Sequence, residues 1–221
     1  MMIMIIYALI TIAIFGMWYY ARYEGNFLPS PKKTFNPMML VAIVILVPGT
    51  QFAANFIANL TGYIRPDWLQ QYNELFETSG ITDTTFVTVL YSVILAPICE
   101  ELIFRGVTMR CARKALPFAL ANLMQAALFG LFHLNWIQGI YAFALGIVLG
   151  YVCERGGSIY YSMGLHLLFN LWGTLSGFFP DPGNSVVVFV VVIVVTIVSL
   201  VAGFVLFNKG RRKLPINSTG I

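Results

Sequence analysis

The stretch LAPICEELIFRG, residues 95–106, sets two adjacent glutamates inside an apolar run, and an arginine follows the second by four residues. A charged carboxylate at the centre of a membrane helix costs about 2.5 to 3.5 kcal/mol on insertion scales, so two in succession need a reason. Glu101 and Arg105 stand four apart with the acid first, which puts them on one helical face in the favourable order and neutralises one carboxylate. Glu100 projects about 100° away from Glu101 and is left over. The helical wheel alone does not decide which of the two does chemistry. Pro97 removes an amide donor and disturbs the carbonyl of Val93, which lipid tolerates only where another helix or water satisfies it. A polar, hydrated interior is therefore expected beside Glu100.

The chain's two histidines are His133, in FGLFHLN with Phe129 one turn earlier, and His166, in GLHLLFN with Asn170 one turn later. Each alone serves as readily for interhelical hydrogen bonding as for catalysis. Taken together, Glu100, His133, His166 and Asn170 form a set for hydrolysis. A glutamate in a low-dielectric cavity takes a proton from water, one histidine orients that water, and the second histidine with the carboxamide donates hydrogen bonds to a tetrahedral oxyanion. Phe129 is placed to fix the His133 ring or to wall off lipid. Counting along the helices at about 1.5 Å per residue brings Glu100, His133 and Asn170 to one height and leaves His166 about two turns lower, a difference that helix tilt absorbs. Ser162 and Cys153 lie nearby in sequence but lack the partner motif of a serine or cysteine protease. Glu100, His133 and His166 are also the donor types of a three-ligand zinc site, although HExxH is absent. If a metal were required, those three residues would hold it; the hydrolytic reading needs no cofactor.

Positioning these groups falls to membrane helices. The 221 residues are 59% hydrophobic and only 10% charged, and no polar block is large enough for a soluble domain. Apolar runs predict an all-α polytopic transmembrane bundle of about seven spans, near 2–21, 38–60, 84–106, 117–135, 137–153, 158–179 and 185–207. The expectation is one membrane domain over 1–208 and a basic cytoplasmic tail over 209–221. The first span has no basic residue before it and no small-residue cleavage site after it, so it reads as a retained helix. With the N-terminus outside and the C-terminus cytoplasmic, twelve of the thirteen Lys and Arg fall inside, leaving only Arg65 outside. The segment between the second and third spans carries apolar residues at three- and four-residue spacing and predicts an amphipathic helix on the outer surface, an interfacial connector rather than a gate. Gly146 and Gly150, four apart, predict close packing of the fifth helix within the bundle. Cys99, Cys111 and Cys153 are spaced for neither a disulfide framework nor a zinc ribbon. A net charge of +4 gives nucleic acid no basis as a partner.

Glu100-Glu101-x-x-x-Arg105, Phe129-x-x-x-His133 and His166-x-x-x-Asn170, in that order on three membrane helices, resemble the three motifs of the CPBP family of CAAX proteases and bacteriocin-processing enzymes, also called Abi. The flanking stretches APICEELIFRG and ALGIVLGYVCERGGSIYYSMGLHLLFN read like bacterial members, and the likeness covers a core of about 84–180. The resemblance implies an intramembrane endopeptidase acting on a peptide or membrane-associated protein in a bacterial cytoplasmic membrane, with cleavage expected near the cytoplasmic side of the bilayer. It assigns Glu100 as general base assisted by His133, His166 and Asn170 to the oxyanion, and Glu101 with Arg105 to support. Two readings of other classes compete. One is a non-catalytic scaffold or bacteriocin self-immunity protein of the same fold, and the other a proton-coupled transporter, whose vocabulary also includes intramembrane Glu, His and Arg. Oligomeric state and substrate identity are not legible in the sequence.

Overall fold

A computed structural model of the protein describes residues 2–24, 35–79, 85–176 and 185–211. Among the described residues the fold is all-helical: α1 (Met2–Tyr19, continued by a π-type turn to Glu24), α2 (Pro37–Ile64), α3 (Pro66–Ser79), α4 (Phe86–Ala112), α5 (Phe118–Phe132), α6 (Trp136–Gly156), α7 (Ile159–Ser176) and α8 (Val186–Gly210). Every helix except α3 coincides with an expected span. Five of them, α1, α2, α4, α6 and α8, are long and apolar enough to cross a membrane. The helix α5 has only 15 residues, and α7 is made too polar by His166, Asn170 and its tyrosines and serines. Lys32, Lys33, Asp83 and residues 212–221 of the expected tail lie outside the described residues.

Local sequence sets the helix ends. Asn36 caps α2, its side-chain oxygen accepting from the Met38 amide at 2.9 Å with Pro37 preset at the first position. Its own Nδ2 donates to Gly210 O at 2.6 Å, tying the start of α2 to the end of α8. Asn135 and Ser185 cap α6 and α8 in the same way, and Gly157, at φ 66°, ends α6 in the left-handed conformation that favours glycine.

The main core joins α2, α6, α7 and α8 with Phe104 of α4 and Phe129 of α5. A smaller cluster of Tyr19, Leu102, Met109, Cys153 and Ile159 fastens α1 to α4. Along α8, Val190, Val194, Val198 and Val201 stay exposed, as lipid-facing positions must. Gly146 packs against Ala126 and Phe129, and Gly150 against Asn122 and Gln125, so the small-residue stripe of α6 meets α5 inside the bundle. The apolar-spaced segment forms α3, joined to α2 at Arg65, whose guanidinium pairs with Asp67 at 2.6 Å and holds that carboxyl below its ordinary value.

Candidate active site

The helix α4 carries π-type turns at Leu90–Leu95 and Leu102–Met109, and the glutamate pair sits on the α-helical stretch between them. In the first of these turns the Ala96 amide reaches back five residues to Tyr91 O. Continuing that step, residue 97 would donate to Ser92 O, but proline has no N–H. Asn170 of α7 supplies the missing donor, its Nδ2 reaching Ser92 O at 2.8 Å. The disturbed carbonyl is therefore that of Ser92 and not Val93, because the wider turn shifts the pairing by one residue.

Glu101 is fully buried, and its Oε1 accepts from Arg105 Nη1 at 2.9 Å and from His166 Nδ1 at 2.9 Å. Arg105, also fully buried, donates through Nη2 to Gly146 O at 3.2 Å and lies over the Phe129 ring at 4.6 Å. The expected Glu101–Arg105 pair thus exists, and it holds a third member that helical spacing could not reveal, since His166 is distant in sequence. With Nδ1 donating to Glu101, His166 turns Nε2 toward Glu100, 3.6 Å from Oε2. His166 therefore stands level with the glutamates, not below them.

His133 closes the last turn of α5 with its Nδ1 at 2.9 Å from Phe129 O. A carbonyl only accepts, so Nδ1 carries the proton and the Nε2 lone pair of the neutral ring is free. The turn that follows is tight: Leu134 takes φ 53°, a conformation costly for a residue with a branched side chain. Phe129 stands edge-on to both imidazoles, at 5.0 Å from His133 and 5.7 Å from His166. It fixes the two rings at once.

Glu100, His133, His166 and Asn170 line one cavity of about 750 Å³ together with Phe129. Glu101 and Arg105 stand behind its wall. The walls also bring in residues that sequence reasoning passed over. Gln51 of α2, only 7% exposed, lines the cavity with an Oε1 that has no partner among the described residues, while its Nε2 reaches Asn55 Oδ1 at 3.4 Å. A carboxamide within an apolar span was the signal available for it. Tyr72 and Leu75 of α3 complete the wall, so this helix is more than a connector. Trp68 stacks on Trp136 of α6 at 5.3 Å and holds α3 in place. Burial pushes the Tyr72 hydroxyl above its ordinary value, opposed by its hydrogen bond to Tyr141 of α6.

Among the described residues no three His, Cys, Asp or Glu side chains converge as a metal-ligand set, so the trio Glu100, His133 and His166 does not have that geometry. Free thiols Cys99 and Cys153 are buried and Cys111 is exposed.

Fold and site together define a multi-pass helical membrane protein whose bundle encloses a polar cavity with one carboxylate and two imidazoles at its wall. The family model described as Type II CAAX prenyl endopeptidase Rce1-like matches residues 82–172, the stretch that holds all three motifs. Residues 82–172 of the chain thus resemble an Rce1-like domain. No curated protein and no solved structure matches the chain.

Proposed function

We propose that the protein is an intramembrane endopeptidase in a bacterial cytoplasmic membrane, hydrolysing a peptide bond of a peptide or membrane-associated protein with a water activated by Glu100. The observation that carries this reading is the division of labour between adjacent carboxylates: Glu101 is committed to Arg105 and His166, and Glu100 is left facing the cavity.

In the proposed reaction, a water held between Glu100 and the free Nε2 of His133 attacks the scissile carbonyl as Glu100 takes its proton. The C–O bond forms and the carbonyl becomes an oxyanion. Asn170 has one Nδ2 hydrogen on Ser92 O and a second to give to that oxyanion. The His166 ring spends Nδ1–H on Glu101, so it donates through Nε2 only in its doubly protonated form, flanked by two carboxylates. Glu100 then returns the proton to the leaving amine as the C–N bond breaks. Gln51 offers an acceptor to a backbone N–H of the bound peptide.

The test begins with peptides compared between membranes of cells holding the wild type and cells holding Glu100→Gln, which identifies substrates. Purified Glu100→Gln and His133→Ala should each lose about 10²- to 10⁴-fold in kcat on such a substrate, the usual worth of a positioned acid–base group. If both process it at the wild-type rate, water activation by Glu100 and His133 is wrong.

A further inference from the structure

The cavity occupies one half of the bundle. Lining positions are 51–58 in the second half of α2, 88–100 in the first half of α4, 138–145 in the first half of α6 and 166–176 in the second half of α7. Because these helices alternate in direction, all of those halves lie at the same end. Met4 at the start of α1, Tyr72 and Leu75 on α3, and Ser176 at the end of α7 form the rim there.

The opposite end is the basic one. Arg110 donates to Tyr19 Oη at 2.8 Å, Arg113 pairs with Glu154 at 3.1 Å, and Arg155 lies beside Phe118 and Tyr151, so the ends of α1, α4 and α6 and the start of α5 gather on a single face. Lys209 and Arg211 finish α8, whose Gly210 carbonyl accepts from Asn36 at the start of α2. Around the cavity mouth the only described basic side chain is Arg65, paired with Asp67, with Glu74 and Glu77 further along α3. Basic connections remain on the cytoplasmic side.

We infer that the cavity is loaded from the non-cytoplasmic face, and that its substrate is a peptide segment exposed at the outer surface of the membrane and not a cytosolic C-terminus. The chemistry of the mouth narrows the segment further. Ala54, Ala58, Val89, Ala142 and Leu145 give apolar walls, while Gln51 and Asn55 give carboxamides that suit an extended backbone. The acids of α3 disfavour an acidic segment and favour a neutral or basic one. That the substrate is a peptide rests on the proposed endopeptidase; the side of loading does not.

The experiment is cysteine labelling with a membrane-impermeant maleimide on intact cells, compared with permeabilised cells. Ser176→Cys and, as a second reporter, Thr174→Cys are each placed in a Cys111→Ala background, and the exposed native Cys111 on the basic face serves as control in the parent chain. Ser176→Cys and Thr174→Cys should label in intact cells, and Cys111 only after permeabilisation, a contrast of tenfold or more. Rim cysteines that label only after permeabilisation would overturn the inference and leave hydrolysis standing. Rim labelling from outside in a protein that cleaves nothing would sink the endopeptidase alone. Cleavage sites from the peptide comparison should map to non-cytoplasmic segments; sites confined to cytosolic ones would overturn the substrate class.

Discussion

Two glutamates that share a peptide bond have opposite surroundings. Glu101 Oε1 sits between the Arg105 guanidinium and His166 Nδ1 with no exposure to solvent, whereas Glu100 faces the cavity. Replacing one partner of a buried ion pair strands the other charge, which costs about 3 to 5 kcal/mol. Glu101→Gln leaves the Arg105 cation without its counter-ion at zero exposure, so it should lower the unfolding temperature in detergent markedly. Glu100→Gln touches only the longer 3.6 Å contact to His166, at the cavity wall, and should keep its unfolding temperature while losing hydrolysis. Equal destabilisation by both would show that the cavity-facing carboxylate is also structural. Half of this contrast was legible in the sequence, because the spacing of Glu101 and Arg105 reports a shared helical face. The other half was not, since contact with His166 depends on how α7 packs against α4, which no local pattern encodes.

At the scale of the helices, two prolines open the backbone ladder and another helix repairs each gap. Pro48 lies within α2, and beside it the Ser199 hydroxyl of α8 accepts from the Gly49 amide at 2.9 Å and donates to Ile45 O, inserting itself where the helical bond would run. Pro97 leaves Ser92 O bare, and Asn170 of α7 answers it. The sequence announces that such a carbonyl needs a partner, but the π-type turn moves the need from residue 93 to 92, and nothing local names the partner. Asn170 consequently has two roles that one substitution confounds. Asn170→Ala strands a half-buried carbonyl, costing up to about 1 to 3 kcal/mol, and also removes the proposed oxyanion donor. Pro97→Ala restores an N–H to α4, so the double variant Pro97→Ala/Asn170→Ala should recover most of the lost thermal stability while its kcat stays low. Recovery of both would reduce Asn170 to a structural strut. The double-mutant cycle, read by melting and by turnover together, separates the two.

The bundle as a whole was the most legible level, because length and hydropathy mark the apolar segments: the seven expected spans coincide with seven helices among the described residues, five of them long and apolar enough to cross a membrane. The cavity was far less so: its walls come from α1, α2, α4, α5, α6 and α7 together with the surface helix α3, and convergence of that kind is a property of packing. The case of α3 makes the point. Its spacing predicts only an amphipathic surface helix, yet Trp68 stacks on Trp136 at 5.3 Å and Tyr72 bonds to Tyr141, drawing Tyr72 and Leu75 over the cavity. Because this helix touches the rim and none of the groups assigned to bond breaking, loosening it should weaken substrate binding more than chemistry. An aromatic pair contributes about 0.5 to 1.5 kcal/mol beyond its buried area. Trp68→Ala should accordingly raise KM by roughly two- to tenfold with kcat little changed, the signature of lost binding that is equal in ground and transition states. Steady-state kinetics in liposomes measure both constants. A fall in kcat at constant KM would instead mean that α3 helps to hold Glu100 and the imidazoles in register.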